Sequence, residues 1–299
     1  DVRGKRLVGA YRVDVAEIAA HAGPAAARRT VAQRIGLLGS APGRLRGPRG
    51  VAVGDDGRIY VADTGNQRVG VFAPDGTPLP PITGEGTPAG RLAAPWSVAI
   101  APGGDLLVLE RPGRRLRRFD RSGAWREDIA LGAVGDPSAL AVAADGTRIV
   151  ADAGRHSLYV LPPVGPPRTI GGRGRSLGRF DLPLAVAVAT DGSVYVSENG
   201  NRRVQRLTAD FRPIEQWSLP PLRNLPAALA ADPGGGVWVA HPGRAPVHLY
   251  RPGGVEIAAV GREGSEPDDL LNVGSVAVAP EGDVLVLDAT RQQVWRYRR

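Results

Sequence analysis

The 299 residues include no cysteine and no methionine. Disulfides, thiolate chemistry and zinc sites built on cysteine are therefore excluded. A chain without oxidisable sulfur tolerates an oxidising exterior, which favours export to the periplasm or beyond the cell. The missing cysteine alone assigns no compartment. No run of about eighteen apolar residues occurs, so no segment reads as a membrane-spanning helix. The chain opens at Asp1 without Met and without a signal-like apolar stretch, which reads as a processed or trimmed start. Aromatic residues are only 5% of the whole, which weighs against base stacking as a main binding device. Lysine is nearly missing as well: Lys5 is the only one, so arginine carries the basic charge.

What is present is globular. Apolar residues make up 42%, enough to exclude a disordered chain of this length and to fill a sizeable core. The net charge of +8 favours acidic partners such as nucleic acid, an anionic surface or an acidic protein, and it also serves plain solubility.

The stretch IYVADTGNQRV at 59–69 returns as VYVSENGNRRV at 194–204. These two belong to a longer series. An acidic residue ends each strand-like run at Asp63, Glu110, Asp152, Glu198 and Asp288, and His241 takes the slot in the one unit that lacks an acid. Neighbours are 47, 42, 46, 43 and 47 residues apart. A glycine lies six residues before each (Gly57, Gly104, Gly146, Gly192, Gly235, Gly282), and an apolar residue lies six after. A period in the forties means a solenoid or a propeller. Each unit holds four short runs of period-2 alternation, split by turns such as GDDG and ATDG, with helical periodicity missing over most of the chain. Four antiparallel strands, written six times, predict an all-β, six-bladed β-propeller. Its strands are called a to d from the axis outward.

The last unit stops at Arg299 after its third strand, so its fourth must come from elsewhere. In three units the last apolar residue of strand d lies 13 positions before the start of strand a, as Ile82 to Pro95, Ile170 to Pro183 and Val260 to Val273. Ile35 to Pro48 repeats that spacing. Residues 30–36 are therefore expected to form the outer strand of blade six, closing residues 30–299 into a ring. Prolines at 78, 80 and 81 guard an outer edge. Residues 1–29 fall outside the pattern and read as an arm or tether.

The pattern G-x-x-G, (F/L)-x-x-P, VAV, DG-x-(I/V)YVADTGN-x-RV resembles the NHL repeat. Blade one carries it as Gly36, Gly39, Leu45 and Pro48 followed by VAVGDDGRIYVADTGNQRVGVF. Blade four carries it as Gly171, Gly174, Phe180 and Pro183 followed by VAVATDGSVYVSENGNRRVQRL. The resemblance implies the fold and leaves function open, because such propellers include RNA binders, interaction scaffolds, lactonase-like enzymes and an amidating lyase.

The acidic ring is expected to be structural. Each carboxylate ends strand b at the turn into strand c, where it can accept backbone N–H bonds, with Asn66, Asn201, Arg68 and Arg203 in the same local network. Six-fold repetition also argues against an active site, which is asymmetric. His241 and His248 stand seven apart and could share a metal, but no carboxylate is forced beside them. Lactonase-like relatives place metal ligands at the channel mouth. The residues expected there are Arg49-Gly50, Trp96-Ser97, Ser138-Ala139, Leu184-Ala185, Ala227-Ala228 and Gly274-Ser275, and none is Asp, Glu or His. Zinc or calcium would lack ligands there, so no metal or cofactor is expected.

Candidate partner-binding residues are Trp96, the blade-two run Arg114, Arg115, Arg117 and Arg118, then Arg173, Arg175 and Arg179, and His241. Trp96 reads equally as inter-blade packing, and the arginine run as a solvated surface. By elimination, the expectation is a non-catalytic scaffold or accessory subunit of a larger exported assembly. A metal-dependent lactonase-like hydrolase or lyase and an RNA-binding propeller stay open as alternatives.

Overall fold

The computed structural model describes residues 31–219, 228–240, 246–262, 266 and 269–299. Over these residues the chain is all-β, with six four-stranded antiparallel sheets. The inner strands are Gly50–Val53, Pro95–Ile100, Pro137–Val142, Pro183–Val188, Ala228–Asp232 and Val273–Val278. Each packs against the next, and the sixth packs against the first, so the sheets form a closed ring of blades. The expected closure is present. Strand Val31–Ile35 pairs antiparallel with Gln293–Tyr297 and completes blade six. The expected arm at 1–29 lies outside the described residues. Among those described, no helix is long and apolar enough to cross a membrane.

The alternation of the b strands explains how the ring holds. In blade one, Ile59 and Val61 join the wedge shared with blade six, while Tyr60 and Ala62 join the wedge shared with blade two. Successive side chains on a strand point to opposite faces, so a strand buried on both faces must be apolar throughout. The core is accordingly six wedges between neighbouring blades. At the top of several wedges sits the buried residue of the (F/L)-x-x-P pattern: Leu45, Leu92, Phe180 or Leu270. Gly171 shows why glycine precedes it. Its φ is +92°, and a Cβ there would come within 2.4 Å of the Phe180 ring.

Candidate functional site at the channel mouth

The acidic ring is built into the scaffold. Asp63, Glu110, Glu198 and Asp288 are 0% exposed and Asp152 is 1% exposed. Each accepts a backbone N–H from the residue 17 positions earlier, at the end of the loop entering strand a: Arg46, Ala93, Gly135, Asp181 or Leu271. That constant offset lashes the loop to the end of strand b. The b-to-c turn expected to supply these N–H groups does so only at Asp152, from Arg155, and at Asp288, from Thr290 and Arg291. Elsewhere side chains complete the set. Asp63 accepts from Asn66 at 2.7 Å and Arg68 at 2.9 Å. Glu198 accepts from Asn201, Arg203 and Gln205, each at 2.6 Å. Glu110 pairs with Arg115.

The blade-two arginines have separate fates. Arg117 is fully buried and organises the loop above it, donating to Asp128 at 3.1 Å, to the Gly90 carbonyl at 2.8 Å and to Thr87. Neither a solvated surface nor a free basic face describes it. Arg118 pairs with Asp105 at 2.6 Å and Glu127 at 3.1 Å. Arg114 is exposed, at the tip of the b-to-c turn. In blade four, Arg173, Arg175 and Arg179 are exposed, and Arg179 donates to the Gly171 carbonyl. His241 lies outside the described residues, while His248 Nδ1 sits 2.9 Å from a Glu256 carboxylate oxygen.

The axial channel opens into a pocket of about 480 Å³ on the face carrying the loops into strand a and the b-to-c turns. That is the size range of small-molecule sites. Of the residues expected at the mouth, all but Ala227, which is outside the described residues, line it. The columns on either side of those positions add three polar residues that the sequence reading missed: Arg111, Asp136 and Asn272. Asp136 and Asn272 each stand one residue before the start of an inner strand, and Arg111 stands one residue after the acid column.

The serines of the mouth tie blades together. Ser138 Oγ donates to the Pro183 carbonyl at 2.8 Å. Ser275 Oγ accepts from Val51 N–H and Ser97 Oγ from Leu140 N–H, each across a blade boundary. Trp96, half-buried, donates from Nε1 to the Ser138 carbonyl at 3.1 Å. This bond is inter-blade packing, yet the ring also lines the pocket. Guanidinium carbons of Arg49 and Arg111 lie over it, 4.8 and 4.3 Å from its centroid. Such contacts are favourable because the ring face is electron-rich.

Arg111 and Asp136 form a bidentate pair, Nε to Oδ1 at 2.6 Å and Nη2 to Oδ2 at 2.7 Å. Those bonds hold the Asp136 carboxyl below the usual carboxylate range, against the opposing effect of desolvation, with the charges of Arg111 and Arg114 adding to the effect. A planar guanidinium matches a carboxylate in this way where an ammonium would not.

A family model for the NHL repeat matches residues 45–72. Those residues are blade one from its buried Leu45 to the end of its third strand, and the same columns recur around a closed six-bladed ring. The chain is a six-bladed β-propeller whose first blade carries an NHL repeat. No curated protein sequence matches it at significance. Solved structures do. A gluconolactonase from Xanthomonas campestris is similar with a TM-score of 0.68 at 17% identity, over 93% of this chain and 99% of that one. A virginiamycin B lyase from Staphylococcus aureus gives 0.61 at 15% identity, over 89% and 98%. A streptogramin B lyase gives 0.64 at 13% identity, over 88% and 96%.

These neighbours correct the expectation of a non-catalytic scaffold. The propellers that share this architecture along nearly their whole length are enzymes by name, lyases and gluconolactonases. At such identities the likeness itself establishes the fold. The residues just inside strand a, on which that expectation rested, do not include Arg111 and Asp136.

The metal that lactonase-like relatives would use does not fit the described residues. They contain no group of three or more His, Cys, Asp or Glu that could hold an ion. Asp136 is the one carboxylate among the described lining residues, and Arg111 occupies both its oxygens.

Proposed function

We propose that this NHL-repeat propeller is an enzyme of the hydrolase or lyase kind, acting on a small molecule held at the channel mouth. The observation that carries the reading is the Arg111–Asp136 pair, set beside Trp96 in a pocket walled mostly by small and apolar side chains. A scaffold has no need of a fixed ion pair in the wall of a ligand-sized cavity. Perturbed titratable groups in such a cleft mark a site.

The chain's own residues supply two functions. Arg111 spends Nε and Nη2 on Asp136, and its Nη1 has no partner among the described residues. That amino group can donate to an oxygen on which negative charge develops, as a fixed charge in a sheltered site does. Asp136, kept ionised by that bidentate contact, holds the Arg111 guanidinium in place at the mouth. Trp96 and the leucines at 182 and 184 exclude water from the bound substrate.

The test is turnover of a panel of small lactones and of a streptogramin B depsipeptide by the purified chain, with and without chelator. Ring opening of at least one member is expected. No turnover of any member, with or without added divalent metal, would remove the enzyme reading.

A further inference from the structure

The pocket is chemically lopsided. Blades one and two bring Arg49 and Arg111 to its wall, and the Arg114 charge acts on Asp136 from the adjacent turn. Across the axis, blade four offers Leu182 and Leu184. In a ring of six, blades one and four face each other, so Arg49 and Leu184 stand at opposite sides of one opening.

The cations are not equivalent. Arg111 is neutralised by Asp136. Arg49 makes no ion pair among the described residues, and its guanidinium rests on the Trp96 ring. Contact with a ring face consumes none of the N–H donors of a guanidinium but restricts where it points. Arg49 is thus a positioned and uncommitted fork of donors at the rim of a ligand-sized cavity. A cleft lined by one sign of charge also concentrates ligands of the other sign.

We infer that the substrate carries a carboxylate, which Arg49 receives beside Trp96, and an apolar body that lies towards Leu182 and Leu184. The inference rests on the mouth being the substrate site, and it adds the chemical class of what enters. Arg49 acts in recognition and orientation, while the Arg111–Asp136 pair stays with the bond that breaks. Carboxylates match a guanidinium fork bidentately, so the contact fixes the orientation of the ligand as well as its charge.

The test uses the full chain and a matched pair of probes, 4-phenylbutyrate and 4-phenylbutyramide, with affinities measured by isothermal titration calorimetry at low salt. The acid should bind at least about tenfold tighter than the amide, and its advantage should shrink as salt rises. Arg49→Gln should bring the acid down to the level of the amide and leave the amide unchanged. Arg49 is exposed, so this variant should melt with the wild type, which a thermal scan verifies. Equal binding of acid and amide, an acid affinity within about twofold after Arg49→Gln, or no binding of either probe would overturn the inference. Lactone turnover without preference for the acid would refute the carboxylate and spare the enzyme. Acid preference without turnover would do the reverse.

Discussion

Glu198→Gln tests the claim that the repeated carboxylates are structural. The substitution keeps the side-chain shape and removes the charge. Glu198 is fully buried, and its two oxygens accept four bonds, from the Asp181 N–H, Asn201, Arg203 and Gln205. A glutamine has one acceptor oxygen, so its amide nitrogen would face donors. It would also leave Arg203, 5% exposed, without its anionic partner. Breaking a buried ion pair from one side costs about 3–5 kcal/mol. Arg203 keeps the carbonyls of Arg175, Ser176 and Arg179 as acceptors, which argues for the low end, about 3 kcal/mol. For a domain of this size each kcal/mol lowers the melting temperature by about 2 °C, so a fall of about 6 °C is expected by calorimetry. Probe binding at the mouth should survive below the transition. A melting temperature within about 1 °C of the wild type would refute the reasoning. So would a stable variant that had lost binding, because Glu198 would then belong to the site.

Further consequences are smaller. Asp120 is held down to about 2 by the Ser122 hydroxyl, with the backbone N–H groups of Ala124 and Ser122 and the Arg126 charge adding to the effect. A carboxyl depressed in the folded state stabilises above its unfolded value, near 3.9, and loses that contribution as the pH falls towards 2. Asp120→Asn should therefore melt below the wild type at pH 6, with the gap closing between about pH 4 and pH 2 in paired thermal scans. Gly171→Ala would drive a Cβ into the Phe180 ring and force a non-glycine into a positive φ, so a loss of more than about 1 kcal/mol in denaturant melts is expected. Asp288→Asn should cost less than Glu198→Gln, because three of its acceptor contacts are backbone N–H groups and its nearest guanidinium nitrogen, on Arg291, is 3.9 Å away.

The fold was legible because the features that build a propeller repeat. The acid column, the turn glycines and the 13-residue step from strand d to strand a each appear several times, so one noisy copy does little harm. Even closure by Val31–Ile35 followed from the step Ile35 to Pro48. The site was less legible for the same reason: it is written once. Arg111 and Asp136 occupy columns whose residues differ from blade to blade, with Ala153 and Ala289 matching Arg111 and Leu182 and Asn272 matching Asp136. No repetition marks them. A survey of every column adjoining the channel, followed by a search for opposite charges on adjacent blades, would have found the pair. Arg117 misled differently. Its column in strand c also holds Gly70, Tyr159, Gln205 and Trp295, so no repeated residue type marks the position, although Gln205 likewise bonds the loop entering strand a, at Gly178 and Arg179. A buried arginine there depends on acceptors at Thr87 and Gly90 that only the folded loop brings close.

The most direct measurement of the central claim is kcat/KM for ring opening by the wild type and by Asp136→Asn, with both confirmed folded by their melting temperatures. If the Arg111–Asp136 pair performs the chemistry at the channel mouth, the variant should lose about a hundredfold or more with little change in stability. A variant within about threefold of the wild type would contradict the account and move the active site away from this pocket.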